Sequence, residues 1–208
     1  MPQDYAEAVK WFRQAADHGN VDAQMELGRL YAQGQGVPKD VAAAVSWYGK
    51  AFAGGNLEAA FWLADIYEEG RGVPQDYVAA RAWYTKALEH QSGWAKYKLG
   101  QLTAEGKGGP QDYPEAVKWY YRAAKVGQYD AMSALAPLLV EGKGVEKNEV
   151  EALALLSFAV QTKDESRRAR YQKQLDGLAA RLTPVQIAAA KKLLEEITDD
   201  IMEERYSK

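Results

Sequence analysis

Apolar side chains recur along this chain with the spacing of helices that bury one face. From Ala44, the next apolar positions are Trp47, Tyr48 and Ala51, at i+3, i+4 and i+7. A second stripe precedes this one and consists of Ala23, Leu27, Leu30 and Tyr31. Residues at these intervals share one face of a helix with 3.6 residues per turn. The pattern therefore predicts two successive amphipathic α-helices.

Both stripes repeat with a period of 36 residues. The clearest columns are Asp4, Asp40, Asp76, Asp112 and Asn148; Ala8, Ala44, Ala80, Ala116 and Ala152; Trp11, Trp47, Trp83 and Trp119; and Leu27, Leu63, Leu99 and Leu135. Such a period is typical of repeat proteins in which each unit buries its apolar face against its neighbours. The sequence predicts four helix hairpins, preceded by a half repeat that supplies only a second helix.

Polar residues and glycines mark the expected helix ends. Asp40 precedes a second helix, where its carboxylate can accept from the unpaired amides of the first turn. Gly34 and Gly36 follow a first helix, where a positive φ lets the chain leave the helix and turn sharply. Pro38 then prevents that helix from continuing. Each repeat thus has its own stop and start signals.

These columns resemble the Sel1-like repeat (SLR) family, whose 36-residue units are related to tetratricopeptide repeats. The segment from Ala59 to Asp76, followed by Ala80, Trp83, Tyr84 and Ala87, carries the resemblance most clearly. It extends from residue 1 to about residue 160. It implies an all-α fold, a right-handed α-α superhelical solenoid whose first helices line a concave groove. It also implies protein–protein interaction as the usual role.

The regular columns end near Asp164, so we expect a solenoid over residues 1–163 and C-terminal capping helices over residues 164–208. Ser166–Ala180 predicts a charged helix, and Thr183 and Pro184 predict the start of a final one. Capping helices would cover the apolar end of the stack; a dimerisation helix is the alternative, so the chain is expected to be a monomer or a weak dimer. Beginning with a half repeat suggests a fragment of a longer solenoid, or else a half repeat that itself serves as a cap.

The composition of the chain argues against several classes of function. The 26 Lys and Arg against 29 Asp and Glu give a net charge of −3, without the basic excess of a nucleic-acid-binding protein. The absence of cysteine excludes disulfides, thiolate zinc sites and cysteine nucleophiles. No run approaches the ~18 apolar residues of a membrane span. We expect a soluble protein of the bacterial cytoplasm or periplasm, and the sequence does not choose between these compartments.

Catalytic and metal-binding patterns are missing. His18 and His90 are the only histidines, and they lie two repeats apart, whereas a zinc site needs at least three convergent ligands. None of the serines begins a Ser-x-x-Lys motif, and no Gly-x-Ser-x-Gly motif is present. We therefore expect no enzymatic activity, no cofactor and no metal.

First-helix residues outside the apolar stripe are the candidate binding residues. If tetratricopeptide geometry applies, one set of them faces the concave side: Met25, Arg29, Glu58, Phe61, Asp65, Glu68, Trp94, Tyr97 and Gln101. Phe61, Trp94 and Tyr97 are aromatic in columns that are otherwise polar or small, and exposed aromatics are typical interface anchors. Packing of Trp94 and Tyr97 between adjacent first helices is the alternative interpretation.

Together these features predict a non-catalytic adaptor or scaffold. Its groove would bind a peptide or protein segment carrying Lys or Arg, because acidic residues outnumber basic ones on the predicted face. A carbohydrate or cell-wall binder, or a regulatory module of a larger protein, is the alternative, since aromatic grooves also stack on sugars.

Overall fold

The computed structural model describes residues 5–88 and 92–206, with side chains described as far as residue 203. Within these residues all regular secondary structure is helical, and short turns join the helices. The helices are α1 (Tyr5–Asp17), α2 (Val21–Gln33), α3 (Val41–Ala53), α4 (Glu58–Glu69), α5 (Tyr77–Ala87), α6 (Gly93–Glu105), α7 (Tyr113–Lys125), α8 (Tyr129–Glu141), α9 (Glu149–Ala159), α10 (Glu165–Ala179) and α11 (Pro184–Tyr206). The predicted all-α class is confirmed, whereas the right-handed superhelix stays a prediction.

The repeat columns form the helix contacts that the sequence predicts. First and second helices of a hairpin pack together, as α2 does with α3, α4 with α5 and α8 with α9. Ala44, Ala80, Ala116 and Ala152 are fully buried, and so are Leu27 and Leu135. Alanine at these positions lets two helix backbones approach closely, because its side chain adds almost no width.

The predicted caps are present in the described residues. Asp40, Asp76, Asp112 and Asn148 each accept a hydrogen bond from the backbone amide three residues later. Gly34 ends α2 with φ of 72° and donates its amide to the carbonyl of Leu30. A side chain at this φ is strained, so glycine is the residue that ends the helix without cost. Asp4, the first member of the cap column, lies outside the described residues.

The chain divides into two compact units, residues 1–95 and 96–208, and the division falls within α6. The core of the N-terminal unit is formed by the helix-facing residues of α1 to α5, among them Leu27, Tyr48 and Leu63. The C-terminal unit has one larger core, in which residues of α7, α8 and α9 join Tyr171 of α10 and Ile201 of α11.

Helix α10 continues the 36-residue spacing beyond the last regular repeat. Asp164 accepts from the amide of Arg167, in the position where Asn20, Asn56 and Ser92 cap earlier first helices. The side chains of the columns have changed, however, and Tyr171 stands where other first helices carry leucine. After α10, α11 packs against α9 and α7. The assignment of residues 164–208 as a separate capping region stays a prediction.

No helix in the described part of the chain combines the length and the apolar character needed to cross a membrane.

Candidate partner-binding surface

Helices α2 and α4 carry six of the nine predicted binding residues, all in the N-terminal unit. Met25 and Arg29 lie on α2, and Glu58, Phe61, Asp65 and Glu68 lie on α4. These six share neither one environment nor one set of partners. Some of them border an open cleft, and the others are held by contacts within the unit.

A cleft of about 320 Å³ opens between α2 and α4. Its lining consists of Asp22, Met25, Glu26, Arg29, Tyr48, Asn56, Glu58 and Trp62. We refer to it as the α2–α4 cleft. It brings together three of the predicted residues, Met25, Arg29 and Glu58, and adds two aromatic side chains that the sequence analysis did not select.

Two aromatic rings form one wall of the α2–α4 cleft. The rings of Tyr48 and Trp62 stack with centroids 6.3 Å apart and planes 13° from parallel. Gly28 makes room for Tyr48, because a Cβ at residue 28 would lie 2.5 Å from a ring carbon of Tyr48. The indole Nε1 of Trp62 donates to Glu58 at 3.2 Å, which orients both side chains. Burial raises the pKa of Tyr48 to about 12, so its hydroxyl stays protonated at neutral pH.

Acidic groups dominate the α2–α4 cleft. Its lining holds Asp22, Glu26 and Glu58 against a single cation, Arg29. The guanidinium of Arg29 is already paired with Glu26 at 2.8 Å and donates to Gln33 and Gln35. Asp22 and Glu58 therefore lack a neutralising cation among the lining residues. A lysine or arginine side chain of a ligand would supply one.

The remaining predicted residues of α4 contact the same unit. The ring of Phe61 is half-buried and lies 5.6 Å from that of Trp62 and 6.1 Å from that of Tyr84. Asp65 forms an ion pair with Arg71. Glu68 accepts from the hydroxyl of Tyr84 at 2.6 Å, and burial together with this hydrogen bond raises the pKa of Tyr84.

Trp94, Tyr97 and Gln101 lie on α6. Trp94 is half-buried and belongs to the N-terminal unit, whereas Tyr97 and Gln101 belong to the C-terminal unit. The ring of Tyr97 lies 6.1 Å from that of Tyr120 on α7, and Gln101 donates to Glu105 at 3.1 Å. Tyr97 therefore packs against α7, the second helix of the same hairpin, within the C-terminal unit.

In the fourth repeat the equivalent surface carries a different arrangement. Asp130, which occupies the column of Asp22 and Glu58, has only 6% of its side chain exposed. It accepts from Arg167 at 2.9 Å, from Arg170 at 2.6 Å and from the hydroxyl of Tyr171 at 2.7 Å. The hydroxyl of Ser133 donates to Gln174 at 2.6 Å. Here the chain's own helix α10 contacts the residues equivalent to Asp22 and Met25, which border the α2–α4 cleft in the first repeat.

No metal site is present within the described residues. No three His, Asp or Glu side chains lie close enough together there to hold a metal ion. The ring of His18 lies 2.7 Å from the carbonyl oxygen of Gln14, in the last turn of α1. His90 lies outside the described residues.

Trp62 lines the α2–α4 cleft, and the sequence analysis did not select it. Its column contains Glu26, Trp62, Lys98 and Ala134, so the repeat does not require an aromatic residue there. That irregularity is the same signal that selected Phe61, and it could have identified Trp62 as well.

Comparison with known proteins places this architecture among described repeat proteins. The family model named Sel1 repeat matches five segments, residues 1–20, 21–56, 57–92, 95–128 and 130–161. A protective antigen present in uropathogenic Escherichia coli strains, which displays an SLR fold, is similar over 98% of the chain at 32% identity, with a TM-score of 0.77. The present chain spans 42% of that chain.

A Sel1 repeat protein from Oxalobacter formigenes is similar over 93% of the chain and 80% of its own, at 26% identity and a TM-score of 0.74. No curated protein matches the chain at a significant level.

Proposed function

The chain belongs to the Sel1 repeat family, and from this premise we propose that it is a non-catalytic adaptor whose α2–α4 cleft binds a protein segment carrying lysine or arginine. Sel1 repeats generally serve as scaffolds for protein–protein interaction and are generally not catalytic. The observation that supports this proposal most directly is the charge of the cleft. Among its described lining residues Asp22, Glu26 and Glu58 stand against one cation, Arg29, which is paired with Glu26.

The aromatic wall of the cleft gives the segment an apolar contact. The methylene stem of a lysine or arginine packs on an aromatic face while its charged end reaches a carboxylate. In this arrangement Trp62 contacts the stem and Glu58, already oriented by the indole N–H, accepts from the charged end. Met25 supplies an adaptable thioether on the opposite helix. The remaining predicted residues of α4 are Phe61, Asp65 and Glu68, and their contacts with Tyr84 and Arg71 stabilise the position of α4.

Fluorescence anisotropy with labelled peptides tests the proposal. We would measure peptides with one arginine between apolar residues, and matched peptides with norleucine in its place. The arginine peptides should bind the unmodified chain in a salt-sensitive manner, because exposed charge pairs are screened by salt. Asp22→Asn combined with Glu58→Gln should weaken their binding by about three- to tenfold.

A matched control removes two carboxylates elsewhere in the same unit. Asp17 and Glu7 both lie on α1, outside the α2–α4 cleft. Asp17→Asn combined with Glu7→Gln makes the same change in net charge and should leave binding unchanged. Equal weakening in both double variants would mean that only the overall charge attracts the peptide, and the proposed site would be wrong.

Sugar binding is a second candidate that Trp62 specifically favours. A half-buried indole beside Asn56 and Glu58 offers a stacking face together with polar partners, which sugar rings require. The probe is an oligosaccharide of N-acetylglucosamine, followed by tryptophan fluorescence. A saturable change that is lost in Trp62→Phe, with no binding of the arginine peptides, would replace the adaptor proposal with this one.

A further inference from the structure

A second cleft, of about 470 Å³, lies in the C-terminal unit between α7, α9 and α11. Its lining consists of Tyr121, Ala124, Lys125, Glu151, Leu155, Ile197, Asp200, Ile201 and Glu203. We refer to it as the C-terminal cleft. Its size falls within the range of about 300–1,000 Å³ that is typical of small-molecule sites.

The floor of the C-terminal cleft is apolar. Ala124 of α7 and Leu155 of α9 are buried, and α11 contributes Ile197 and Ile201, one helical turn apart. Leu155 occupies the column in which Trp47, Trp83 and Trp119 stand in the earlier repeats. Because leucine is smaller than tryptophan, this substitution provides space beside α9 that the regular repeat would fill.

The rim of the C-terminal cleft is acidic, and one of its carboxylates is held in place. Among the lining residues whose side chains are described, Glu151, Asp200 and Glu203 stand against one cation, Lys125. Glu151 accepts from the hydroxyl of Tyr121 at 2.7 Å and from the side-chain amide of Asn148 at 3.0 Å. Burial and the hydrogen bond to Glu151 raise the pKa of Tyr121, so this donor stays protonated at neutral pH.

From the apolar floor and the excess of negative charge on the rim, we infer that the C-terminal cleft binds an amphiphilic organic cation, an aromatic or aliphatic body carrying one protonated amine. The body would displace water from Ala124, Leu155 and Ile197, which is favourable in proportion to the apolar area covered. The amine would lie at the rim, near Glu151 and Asp200. The site lies in the C-terminal unit and does not depend on the function proposed for the α2–α4 cleft.

Three probes of one shape separate the contributions of charge and apolar contact. We would titrate phenethylamine, 2-phenylethanol and phenylacetate into the protein and follow the methyl resonances of Ile197, Ile201, Leu155 and Ala124 by NMR. Phenethylamine should shift these resonances in a saturable manner, 2-phenylethanol should bind more weakly, and phenylacetate should not bind. Binding of phenylacetate as strong as that of phenethylamine, or no saturable shift with phenethylamine, would overturn the inference.

Two variants of α11 with equal charge changes locate the cation. Asp200→Asn combined with Glu203→Gln removes two rim carboxylates and should weaken phenethylamine binding by about three- to tenfold. Glu195→Gln combined with Asp199→Asn removes two exposed carboxylates of the same helix outside the cleft and should leave the affinity unchanged. Equal effects of the two pairs, or no effect of the first, would contradict the proposed position of the amine.

Discussion

Glu58 in the N-terminal unit and Asp130 in the C-terminal unit occupy the same position of the repeat but differ in their exposure and in their hydrogen-bond partners. Glu58 is exposed, borders an open cleft and is oriented by the indole of Trp62. Asp130 is nearly buried and accepts hydrogen bonds from Arg170 and Tyr171. Packing within the repeat therefore does not fix the residue type at this position. The side chains of the neighbouring helix determine whether the carboxylate is exposed to solvent or buried.

The difference follows from the side chains of the helix that comes 36 residues later. Regular first helices carry alanine at the position of Arg167 and leucine at the position of Tyr171. Helix α10 replaces these small or apolar groups with donors that reach Asp130. A carboxylate can be buried only when charged or hydrogen-bonding partners replace its water, and α10 provides three such donors.

Removal of the Asp130 carboxylate should have the largest effect on stability. Asp130→Ala leaves Arg167 and Arg170 without their shared acceptor and the buried hydroxyl of Tyr171 without the carboxylate to which it donates. We expect a loss of about 3 kcal/mol in the free energy of unfolding, the lower end for breaking a buried ion pair, because both guanidinium groups remain about half exposed and can rehydrate. Urea denaturation followed by circular dichroism measures this change.

Glu58→Ala is the matched control at the equivalent position. Because Glu58 is exposed, its removal should change the free energy of unfolding by no more than about 0.5 kcal/mol. Similar losses in the two variants would show that the contrast between the two positions is wrong.

A smaller effect is expected from the hydroxyl of Tyr171 alone. Tyr171→Phe keeps the buried ring and both arginine partners of Asp130. It removes two hydrogen bonds, one that the hydroxyl donates to Asp130 and one that it accepts from Arg170. We expect a loss of about 1.5 kcal/mol in the free energy of unfolding, the lower end for hydrogen bonds to charged groups, measured in the same way. Tyr48→Phe is the control, since it removes a hydroxyl from a second buried tyrosine ring that is not bonded to Asp130 or Arg170. A loss of equal size in the control would mean that the effect comes from removing any buried hydroxyl and not from the hydrogen bonds of Tyr171.

The sequence predicted the features that depend on one helix or on neighbours at a fixed spacing. The buried alanine column, the Asp40 cap and the glycine that ends α2 all follow from the period of 36 residues. It did not predict the environment of Asp130, because the donors come from α10, after the regular columns have ended. Nor did it select Trp62, whose position in the cleft wall depends on the stacking of its ring with Tyr48 of a different helix.

The candidate sites were predicted less completely than the fold for a physical reason. A repeat requires the residues that every hairpin uses, so those residues recur and can be recognised. A binding surface uses residues that differ between repeats, and their partners depend on distances that the period does not give. Asp65 and Glu68 illustrate this limit, because Arg71 and Tyr84 lie near enough to pair with them.

The last expected effect concerns the pH dependence of stability, and it uses Tyr48 in the wall of the α2–α4 cleft. In the unfolded chain Tyr48 ionises near the ordinary tyrosine pKa of 10.0, whereas in the folded chain burial raises the pKa to about 12. Between these values the unfolded state releases its proton first, so the contribution of the neutral phenol to stability is complete below pH 10 and is lost as pH rises toward 12. From pH 10 to pH 11 the free energy of unfolding of the unmodified protein should fall by about 1 kcal/mol more than that of Tyr48→Phe, since one pKa unit corresponds to about 1.4 kcal/mol.

Urea denaturation of both proteins at pH 8, 10 and 11 measures this difference. The contributions of the other titrating groups cancel because the two proteins share them. Parallel losses would mean that the phenol of Tyr48 ionises as readily in the folded protein as in the unfolded chain, and the cleft wall would then be more open to water than its burial indicates.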